Sequence, residues 1–400
     1  MTSTLDQLRP SAVDDSEKHL GASRWPDLSQ VPRELGRMVG RQPGPTLICL
    51  GGLHGNEPAG VIGIQRALAG LERGGREIRG EVVGLAGNRR ALARRRRFVD
   101  HDLNRAWRRE NLARLLQSPG PLKSEDREQV ELDAALQEII EESKGRVFLL
   151  DLHTTSGPGS AFAILDDTLP NREVALDFPV PLVLGLEEEL AGTLASYLAA
   201  LGVTVVGFEA GQHEDPESVD RAAAAIWLAM ESCGLLRDDD RGRVGEARQL
   251  LQAQADAAVG IVEVLHRHSI EAGDKYEMAP GFSSFQSIPK GQLLGWNNAG
   301  AVLAPFQGLL LMPKYQDQGS DGFFLVRRVQ PIWLPVSARL RRWHLERLLH
   351  WMPGISRHPD QARTFLVDQR YARLLALQVF HLIGFRREGR KGRFMIMKRR

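Results

Sequence analysis

Apolar runs and segments with helical periodicity alternate along the first half of the chain. Continuous apolar runs predict strands at Pro45–Leu50, Glu81–Leu85, Val147–Leu152 and Val203–Phe208. Apolar residues at helical spacing predict helices at Pro58–Leu71, Glu125–Ser143, Glu187–Leu201 and Asp215–Ser232. Strands that alternate with helices indicate an α/β fold with a mixed, mostly parallel sheet flanked by helices. In such a sheet, ligands bind at the carboxyl ends of the strands.

The pattern changes on either side of this α/β region, which we predict to span residues 41–236. Residues 1–40 are polar and lack periodicity, which predicts a loose lead-in or a short amphipathic helix. A charged stretch opens a predicted linker over residues 237–258, and short β-prone runs broken by Gly and Pro predict a smaller all-β domain over residues 259–335. Helical periodicity returns in residues 336–400, so a helical, basic C-terminal extension is expected.

Composition narrows the class of protein. Of the 400 residues, 42% are apolar and 26% are charged, which is typical of a globular protein rather than of a disordered, collagen-like or coiled-coil chain. The sequence has no run of about eighteen uncharged apolar residues and no apolar core of the signal-peptide kind near its start, so we expect neither a membrane span nor secretion. Cys49 and Cys233 are too few for a disulfide framework or a thiolate metal cage. We therefore expect a cytoplasmic protein, in which any metal is held by His and carboxylate groups.

The charges nearly cancel, with 52 basic and 50 acidic side chains and a formal net charge of +2. A nucleic-acid-binding protein usually has a larger basic excess or a clear basic stripe, so we expect no nucleic-acid partner. We interpret the run Arg94–Arg96 as surface charge and the basic end Phe385–Arg400 as a solvated terminus.

His54 and Glu57 are the strongest candidates for metal ligands. They stand three apart in the sequence HGNE, which follows a predicted strand and a double glycine and precedes a predicted helix. Glycine tolerates positive φ, so the backbone can turn there and bring both side chains to one ion. His153 ends another predicted strand and supplies a third ligand. Two His and one Glu, with a fourth position open, are a usual ligand set of a catalytic zinc site.

Some neighbouring residues have two interpretations. An HxxE motif often occurs by chance, and its placement at a strand end is what favours a metal site here. Asp151 either supports the ligand His153 or caps the loop that follows. His266 and His268, two apart in a β-prone run, either form a second ligand pair or lie exposed to solvent.

Two further clusters carry candidate chemistry. The sequence RFVDHDLNR contains Arg97, Asp102, Asn104 and Arg105. Arg holds a carboxylate through its bidentate fork and Asn adds a neutral donor, so this cluster predicts a site for an anionic substrate, or else a solvated loop. Glu209 leaves the fourth predicted strand at the ligand-binding edge, so it is either a general base or an ordinary loop acid.

In order along the chain, GGLHGNEPAG, RFVDHDLNRAW, DLHTTSG and FEAGQHED resemble the succinylglutamate desuccinylase/aspartoacylase family of zinc amidohydrolases, which are relatives of the zinc carboxypeptidases. The phrase LMPKYQDQGSDGFF also resembles the C-terminal part of many bacterial members. The resemblance covers about residues 45–330 and implies a carboxypeptidase-like fold with one zinc ion per chain. The extension after residue 336 falls outside it, and its helices are expected either to cover the β domain or to mediate homo-oligomerisation.

The resemblance also implies roles for individual residues. Zinc would be bound by His54, Glu57 and His153. The other implied roles are those of a general base and then acid (Glu209), a group that polarises the scissile carbonyl (Arg97), and groups that bind or orient the substrate (Asp102, Asn104, Arg105 and Tyr315).

The function implied is that of a zinc-dependent deacylase, which hydrolyses the amide of a small, anionic N-acyl amino acid or N-acyl amine. Two alternatives stay open, a zinc carboxypeptidase acting on peptides and a non-catalytic zinc- or ligand-binding member of the fold. Aspartoacylase relatives carry a further arginine between the third zinc ligand and the catalytic glutamate. Between Pro158 and Phe208 this chain has only Arg172, which does not align with it, so the acyl group and the amino-acid part stay open.

Overall fold

The computed structural model describes residues 25–74, 77–118, 120–237, 240–256, 258–343, 349, 354–359, 361, 363–368, 370 and 380–399. Its main strands are β1 (Glu34–Val39), β2 (Gln42–Gly51), β3 (Arg79–Ala86), β4 (Val147–Thr155), β5 (Phe162–Leu165), β6 (Leu182–Leu184), β7 (Thr204–Gln212), β8 (Ile261–Ser269), β9 (Glu277–Met278), β10 (Ser287–Ile288), β11 (Leu293–Asn297), β12 (Gly300–Leu303), β13 (Gly308–Leu311) and β14 (Asp321–Val329). The helices are α1 (Ala59–Arg73), α2 (Arg89–Arg94), α3 (Arg109–Leu116), α4 (Ser124–Glu142), α5 (Leu169–Ala175), α6 (Leu194–Ala199), α7 (Glu217–Ser232), α8 (Arg241–Gln254) and α9 (Trp333–Arg342). In this part of the chain, no helix is both long and apolar enough to cross a membrane.

A mixed sheet of eleven strands forms the centre of the molecule, in the order β1-β3-β2-β4-β7-β5-β6-β8-β14-β13-β10. The pairs β2–β3, β2–β4, β4–β7, β5–β6 and β6–β8 are parallel. The outer pairs are antiparallel, as is the pair β5–β7 inside the sheet. The predicted α/β fold is confirmed, with a mixed sheet that is mostly parallel from β3 to β8.

The central strands are buried on both faces, as their continuous apolar runs predict. Along β2, Leu47 and Cys49 belong to the core beneath α1 and α7, whereas Ile48 and Leu50 belong to the core beneath α4. Successive side chains of a strand point to opposite faces, so a strand covered on both sides must be apolar at every position.

Three local predictions differ from the structure. The predicted linker contains α8, whose Val244, Ala247 and Leu251 are buried against the core beneath α7, because a charged start does not prevent an apolar helix face from packing. The N-terminal lead-in contains β1, which forms the edge of the sheet and pairs with β3, whereas residues 1–24 lie outside the described residues. The helix predicted at Glu187–Leu201 is interrupted, and only α6 and a short 3-10 turn at Leu186–Glu188 form.

The predicted β domain consists of strands but does not have a sheet wholly of its own. Strands β8, β14, β13 and β10 extend the central sheet through the parallel pair β6–β8, and β12, β11 and β9 form a separate three-stranded sheet. Backbone hydrogen bonds therefore run continuously across the predicted boundary between the two domains.

The C-terminal extension differs from the predicted helical one. After α9 it contains β15 (Ile355–Arg357), β16 (Thr364–Asp368), β17 (Phe385–Lys391) and β18 (Phe394–Arg399), which form an antiparallel sheet in the order β15-β16-β18-β17. The basic terminus is thus part of a hairpin, in which Phe385 and Met397 are buried. The helical periodicity on residues 344–348 and 371–379 lies outside the described residues.

A buried carboxylate joins this extension to the α/β region. Asp167, 1% exposed, accepts hydrogen bonds from Arg172, Arg341 and Arg386, of which Arg341 and Arg386 come from the extension. Beside it, His381 Nδ1 lies 2.8 Å from Glu263 Oε1. The extension is therefore attached through buried charged groups.

Candidate active site

Two adjacent parallel strands deliver the three predicted ligands to one point. His54 and Glu57 lie in the turn between β2 and α1, and His153 lies near the end of β4, the neighbour of β2 in the sheet. All three side chains are buried. One ligand atom from each lies within 4.8 Å of the others, and no further cluster of this kind occurs among the described residues.

The Glu57 carboxylate lies between the two imidazoles. Its Oε1 is 2.9 Å from His54 Nδ1, and its Oε2 is 2.9 Å from His153 Nδ1. Burial alone raises the pKa of Glu57, but the two histidines more than offset this and hold the pKa well below its ordinary value. The carboxylate is therefore ionised, as a metal ligand must be.

Two glycines shape this turn, for different reasons. Gly52 has a φ of 70°, which is the left-handed region that glycine tolerates. Gly55 has no positive φ, but a Cβ atom there would lie 2.0 Å from the backbone carbon of Ala91. The close approach of α2, rather than backbone freedom, therefore requires glycine beside His54.

The outer nitrogens of both histidines face carboxylates. Asp102 Oδ1 lies 3.3 Å from His54 Nε2, and Asp151 Oδ2 lies 3.1 Å from His153 Nε2. Histidines that bind a metal usually donate their second ring N–H to such a carboxylate, which fixes the tautomer. If both Nε2 atoms kept their protons when a metal was bound, the Nδ1 lone pairs would be available to the ion beside Glu57. The residues present therefore fit a metal ion, and Asp151 contacts the candidate ligand His153, as one of the two interpretations predicts.

The loop after α2 brings Arg97 to the same place. Arg97 Nη2 is 3.1 Å from Asp102 Oδ2, and its Nη1 is 3.6 Å from Glu57 Oε1. Buried Glu125, in the first turn of α4, accepts hydrogen bonds from the backbone N–H groups of Val99 and Asp100 at 2.7 and 2.8 Å. A side chain that is distant in sequence thus orders the loop between Arg97 and Asp102.

Glu209 lies on β7, directly opposite His153 of β4 in the sheet register. It is 7% exposed, and its Oε2 has no hydrogen-bond partner among the described residues. Burial raises the pKa of Glu209 to about 8, despite the opposing effect of His153. A carboxyl group with a pKa near neutrality is suited to exchanging protons at neutral pH.

Asn104 and Arg105 form a short 3-10 turn beside the centre. Asp102 caps this turn by accepting a hydrogen bond from the Asn104 N–H at 2.9 Å. The Arg105 guanidinium donates to Asp321 Oδ2 at 2.7 Å, and Arg267 donates to the other oxygen of Asp321 at 2.6 Å. Two arginines share one carboxylate, so this part of the site has a net positive charge.

These residues line one cavity of about 170 Å³. The predicted residues at its wall are His54, Glu57, Arg97, Asn104, Arg105, His153 and Glu209. Asp102 stands behind them through its contacts with His54 and Arg97. Tyr315 does not line the cavity, although its neighbours Lys314 and Gln316 do. Its hydroxyl donates to Ala279 O at 2.8 Å and accepts from the Phe282 N–H at 2.9 Å, which keeps it within the β domain.

Sequence analysis missed a hydrogen-bonded chain behind Glu57. Gln316 Oε1 accepts from Asn56 at 2.8 Å and lies 3.1 Å from His213 Nε2, so His213 donates through Nε2. His213 Nδ1 then accepts from the Thr154 hydroxyl at 2.7 Å, and the Thr154 N–H donates to Glu57 at 3.1 Å. Burial lowers the pKa of His213, which agrees with a neutral ring. His213 and Gln316 stand in the quoted phrases FEAGQHED and LMPKYQDQGSDGFF, but nothing in their spacing indicates that they meet.

The remaining candidates lie elsewhere. His268 stacks on Phe323 with ring centroids 5.0 Å apart, and His266 packs against Phe306 and Phe323, so both are partly buried in aromatic contacts instead of forming a ligand pair. Arg172 is bound to Asp167 and takes no part in the cavity.

The fold and the site define an α/β protein with a candidate metal centre of two histidines and a glutamate at the carboxyl edge of its sheet. The model of the succinylglutamate desuccinylase/aspartoacylase catalytic domain matches residues 43–230. Through these residues the chain belongs to the succinylglutamate desuccinylase/aspartoacylase family.

Two solved structures share the fold. The succinylglutamate desuccinylase of Vibrio cholerae has a TM-score of 0.52 at 15% identity, over 74% of this chain and 85% of that chain. A succinylglutamate desuccinylase/aspartoacylase of Rhodobacter sphaeroides has a TM-score of 0.52 at 17% identity, over 74% of this chain and 88% of that chain. At these identities the likeness concerns the fold alone.

The sequence similarity to curated relatives is local. The succinylglutamate desuccinylase of Pseudomonas fluorescens (strain SBW25) is 36% identical over 84 residues, which are 21% of this chain and 25% of the relative. The chain thus matches about a quarter of the length of that relative.

Proposed function

We propose that this chain is a zinc-dependent deacylase, which hydrolyses the amide bond of a small N-acyl amino acid or N-acyl amine. The observation that carries the proposal is the arrangement of His54, Glu57 and His153 with Glu209 in one cavity. A metal-ligand set alone fits a structural site as well. Glu209, a buried carboxyl group whose Oε2 has no hydrogen-bond partner within the part of the chain that the structure describes, fits catalysis. The family membership and the names of the relatives support the same reaction class.

His54, Glu57 and His153 would hold one zinc ion per chain. When bound, zinc supplies a Lewis acid that lowers the pKa of water to about 7 and stabilises developing negative charge. Asp102 and Asp151 keep the Nδ1 atoms of both histidines free to bind it.

Glu209 would take a proton from the attacking water and return it to the leaving amine. Its raised pKa suits both steps, because the group changes protonation state near neutral pH. Arg97 would donate to the oxyanion, and Asp102 fixes the direction of its guanidinium. Asn104 and Arg105 would bind a carboxylate of the substrate on the positively charged side of the cavity, while we propose no substrate contact for Tyr315.

The walls of the cavity favour small substrates over peptides. Lys314, Gln316 and Asp321, all from the β domain, close one side of it. A long peptide needs an open groove, so we propose the deacylase ahead of the carboxypeptidase.

The test is hydrolysis of N-acyl amino acids and of free peptides by zinc-loaded protein, together with Glu209→Gln. We expect N-acyl amino acids to be cleaved, and we expect Glu209→Gln to lower kcat by on the order of 10² to 10⁴-fold while zinc stays bound. The matched control is Glu214→Gln, which neutralises an exposed acid five residues along and should leave kcat unchanged. Cleavage of peptides alone, or full activity of Glu209→Gln, would contradict the proposal.

A further inference from the structure

The cavity continues away from the candidate metal centre along β7. Val205, Gly207 and Glu209 alternate along this strand and line the cavity, so they lie on one face of the sheet. Four residues of strand cover about 13 Å at 3.3 Å per residue. Gly207 contributes no side chain at the midpoint, and the space beside it belongs to the cavity. The cavity therefore has a far end, remote from Glu209.

This far end contains two acidic residues, Asp166 and Glu187. Asp166 directly follows β5, which runs antiparallel to β7 and so ends near the start of that strand. Glu187 lies in the 3-10 turn Leu186–Glu188. Its side chain is only 7% exposed, and neither carboxylate oxygen has a hydrogen-bond partner among the residues that the structure describes.

The acids around Glu187 have partners of their own. Asp167 binds three arginines, Glu188 lies 3.1 Å from Arg386 Nη1, and Glu263 lies 2.9 Å from Arg327. Arg386 Nε is 3.9 Å from Glu187 Oε1, which is too long for a hydrogen bond. Glu187 therefore lacks a hydrogen-bond donor among the described residues, whereas the acidic side chains around it are paired with arginines.

An ionised carboxylate that is buried without a partner is costly, and a cation placed against it removes that cost. Burial, together with Asp166, raises the pKa of Glu187 well above its ordinary value, although Arg386 opposes the rise. The opposite end of the cavity carries Arg97 and Arg105.

We propose that the substrate carries a cationic amine or guanidinium group at the end remote from its scissile amide, and that Glu187 and Asp166 bind this group. The inference rests on the proposed deacylase function and specifies its substrate class. The substrate is then an N-acyl derivative of a basic amino acid, or an N-acyl amino acid whose acyl chain ends in an amine. This extends the small anionic substrate expected from sequence to one that bears both charges.

The first test uses the unaltered zinc-loaded protein and pairs of substrates that differ in charge but not in length. One series compares Nα-acetyl-lysine with Nα-acetyl-norleucine, and Nα-acetyl-arginine with Nα-acetyl-citrulline. The second compares N-(6-aminohexanoyl)glycine with N-hexanoylglycine. In at least one series we expect kcat/KM to be tenfold or more higher for the cationic member.

The second test uses Glu187→Gln, which keeps the shape of the side chain and removes its charge. We expect the variant to lose the preference for the cationic substrate, because the KM of that substrate rises. The kcat/KM of the neutral substrate should stay unchanged. Glu189→Gln is the matched control, because Glu189 lies outside the cavity and pairs with Arg387. It should keep the preference.

The outcomes separate the two proposals. Equal cleavage of cationic and neutral members in both series overturns the inference and leaves the deacylase function standing. An absence of cleavage in both series and across the wider N-acyl amino acid panel overturns the deacylase function and the inference with it. Because the first test needs no variant, it can refute the inference even if Glu187→Gln does not fold.

Discussion

At the scale of single residues, Glu125 shows how a distant side chain controls the site. Its carboxylate is fully buried and accepts from Val99, Asp100 and Asn88. These bonds hold the loop on which Arg97 and Asp102 stand. This role cannot be predicted from the sequence, in which Glu125 is an ordinary acidic residue at the start of a predicted helix.

Replacing Glu125 by Gln tests the role of this loop. The substitution keeps the size of the side chain but points an NH₂ group at backbone N–H donors. We expect a loss of about 2 kcal/mol in the free energy of unfolding, because hydrogen bonds to charged groups contribute that much. We also expect a fall in kcat/KM. Urea unfolding and steady-state kinetics measure both, and Glu138→Gln, at an exposed position of α4, is the control. Unchanged values for Glu125→Gln would contradict the positioning role.

The convergence of the three candidate metal ligands was predictable from sequence, whereas the residues that support them were not. His54, Glu57 and His153 stand at strand ends, where parallel strands bring side chains to one edge. Glu125, His213, Gln316 and Lys314 reach the site only through tertiary packing. Tyr315 does not line the cavity, and its hydroxyl is hydrogen-bonded to backbone groups of the β domain.

At the scale of elements, the C-terminal sheet depends on Asp167. Asp167→Ala removes the common acceptor of Arg172, Arg341 and Arg386 and leaves three buried cations without it. Breaking a buried ion pair typically costs about 3–5 kcal/mol, so we expect a loss of that order in the free energy of unfolding. The exposed pair Arg66–Asp220 provides the control, because Asp220→Ala should cost less than about 1 kcal/mol. Equal losses in the two variants would refute the role of Asp167.

The same interface predicts a dependence of stability on pH. Burial lowers the pKa of His381, but the bonds to Glu188 and Glu263 outweigh burial and raise it above its ordinary value. Arg386, which also faces this group, opposes the rise. A raised pKa in the folded state gives stability that is present below the unfolded value of about 6.5 and is lost as pH rises through the folded value.

Glu263 determines the lower limit of the pH range in which this interface stabilises the fold. Burial raises its pKa, but the hydrogen bond from His381 and the neighbouring cations lower it to about 2. Its contribution is therefore present above an unfolded pKa of about 4.3 and is lost as pH falls towards 2. We expect the contribution of Glu263 and His381 to the free energy of unfolding to be greatest between about pH 4.3 and 6.5. Denaturation curves across pH measure this, and His381→Gln should flatten the alkaline limb; an unchanged limb would count against the assignment.

At the scale of the whole molecule, the α/β region was predictable because its strands are buried on both faces and its helices have one apolar face. The extension was not, since strands such as β17 and β18 carry mixed polar and apolar residues instead of the continuous apolar runs that identify the central strands. The continuous sheet across the domain boundary was also missed, because pairing between β6 and β8 is not encoded in either segment alone. The predicted boundaries between the domains therefore stay a prediction.

The most direct test of the account is an anomalous difference map, recorded at the zinc edge from crystals of the zinc-loaded protein. The account predicts one peak per chain, among His54 Nδ1, His153 Nδ1 and the Glu57 carboxylate. A principal peak elsewhere, or none at this position in crystals grown with excess zinc, would contradict it.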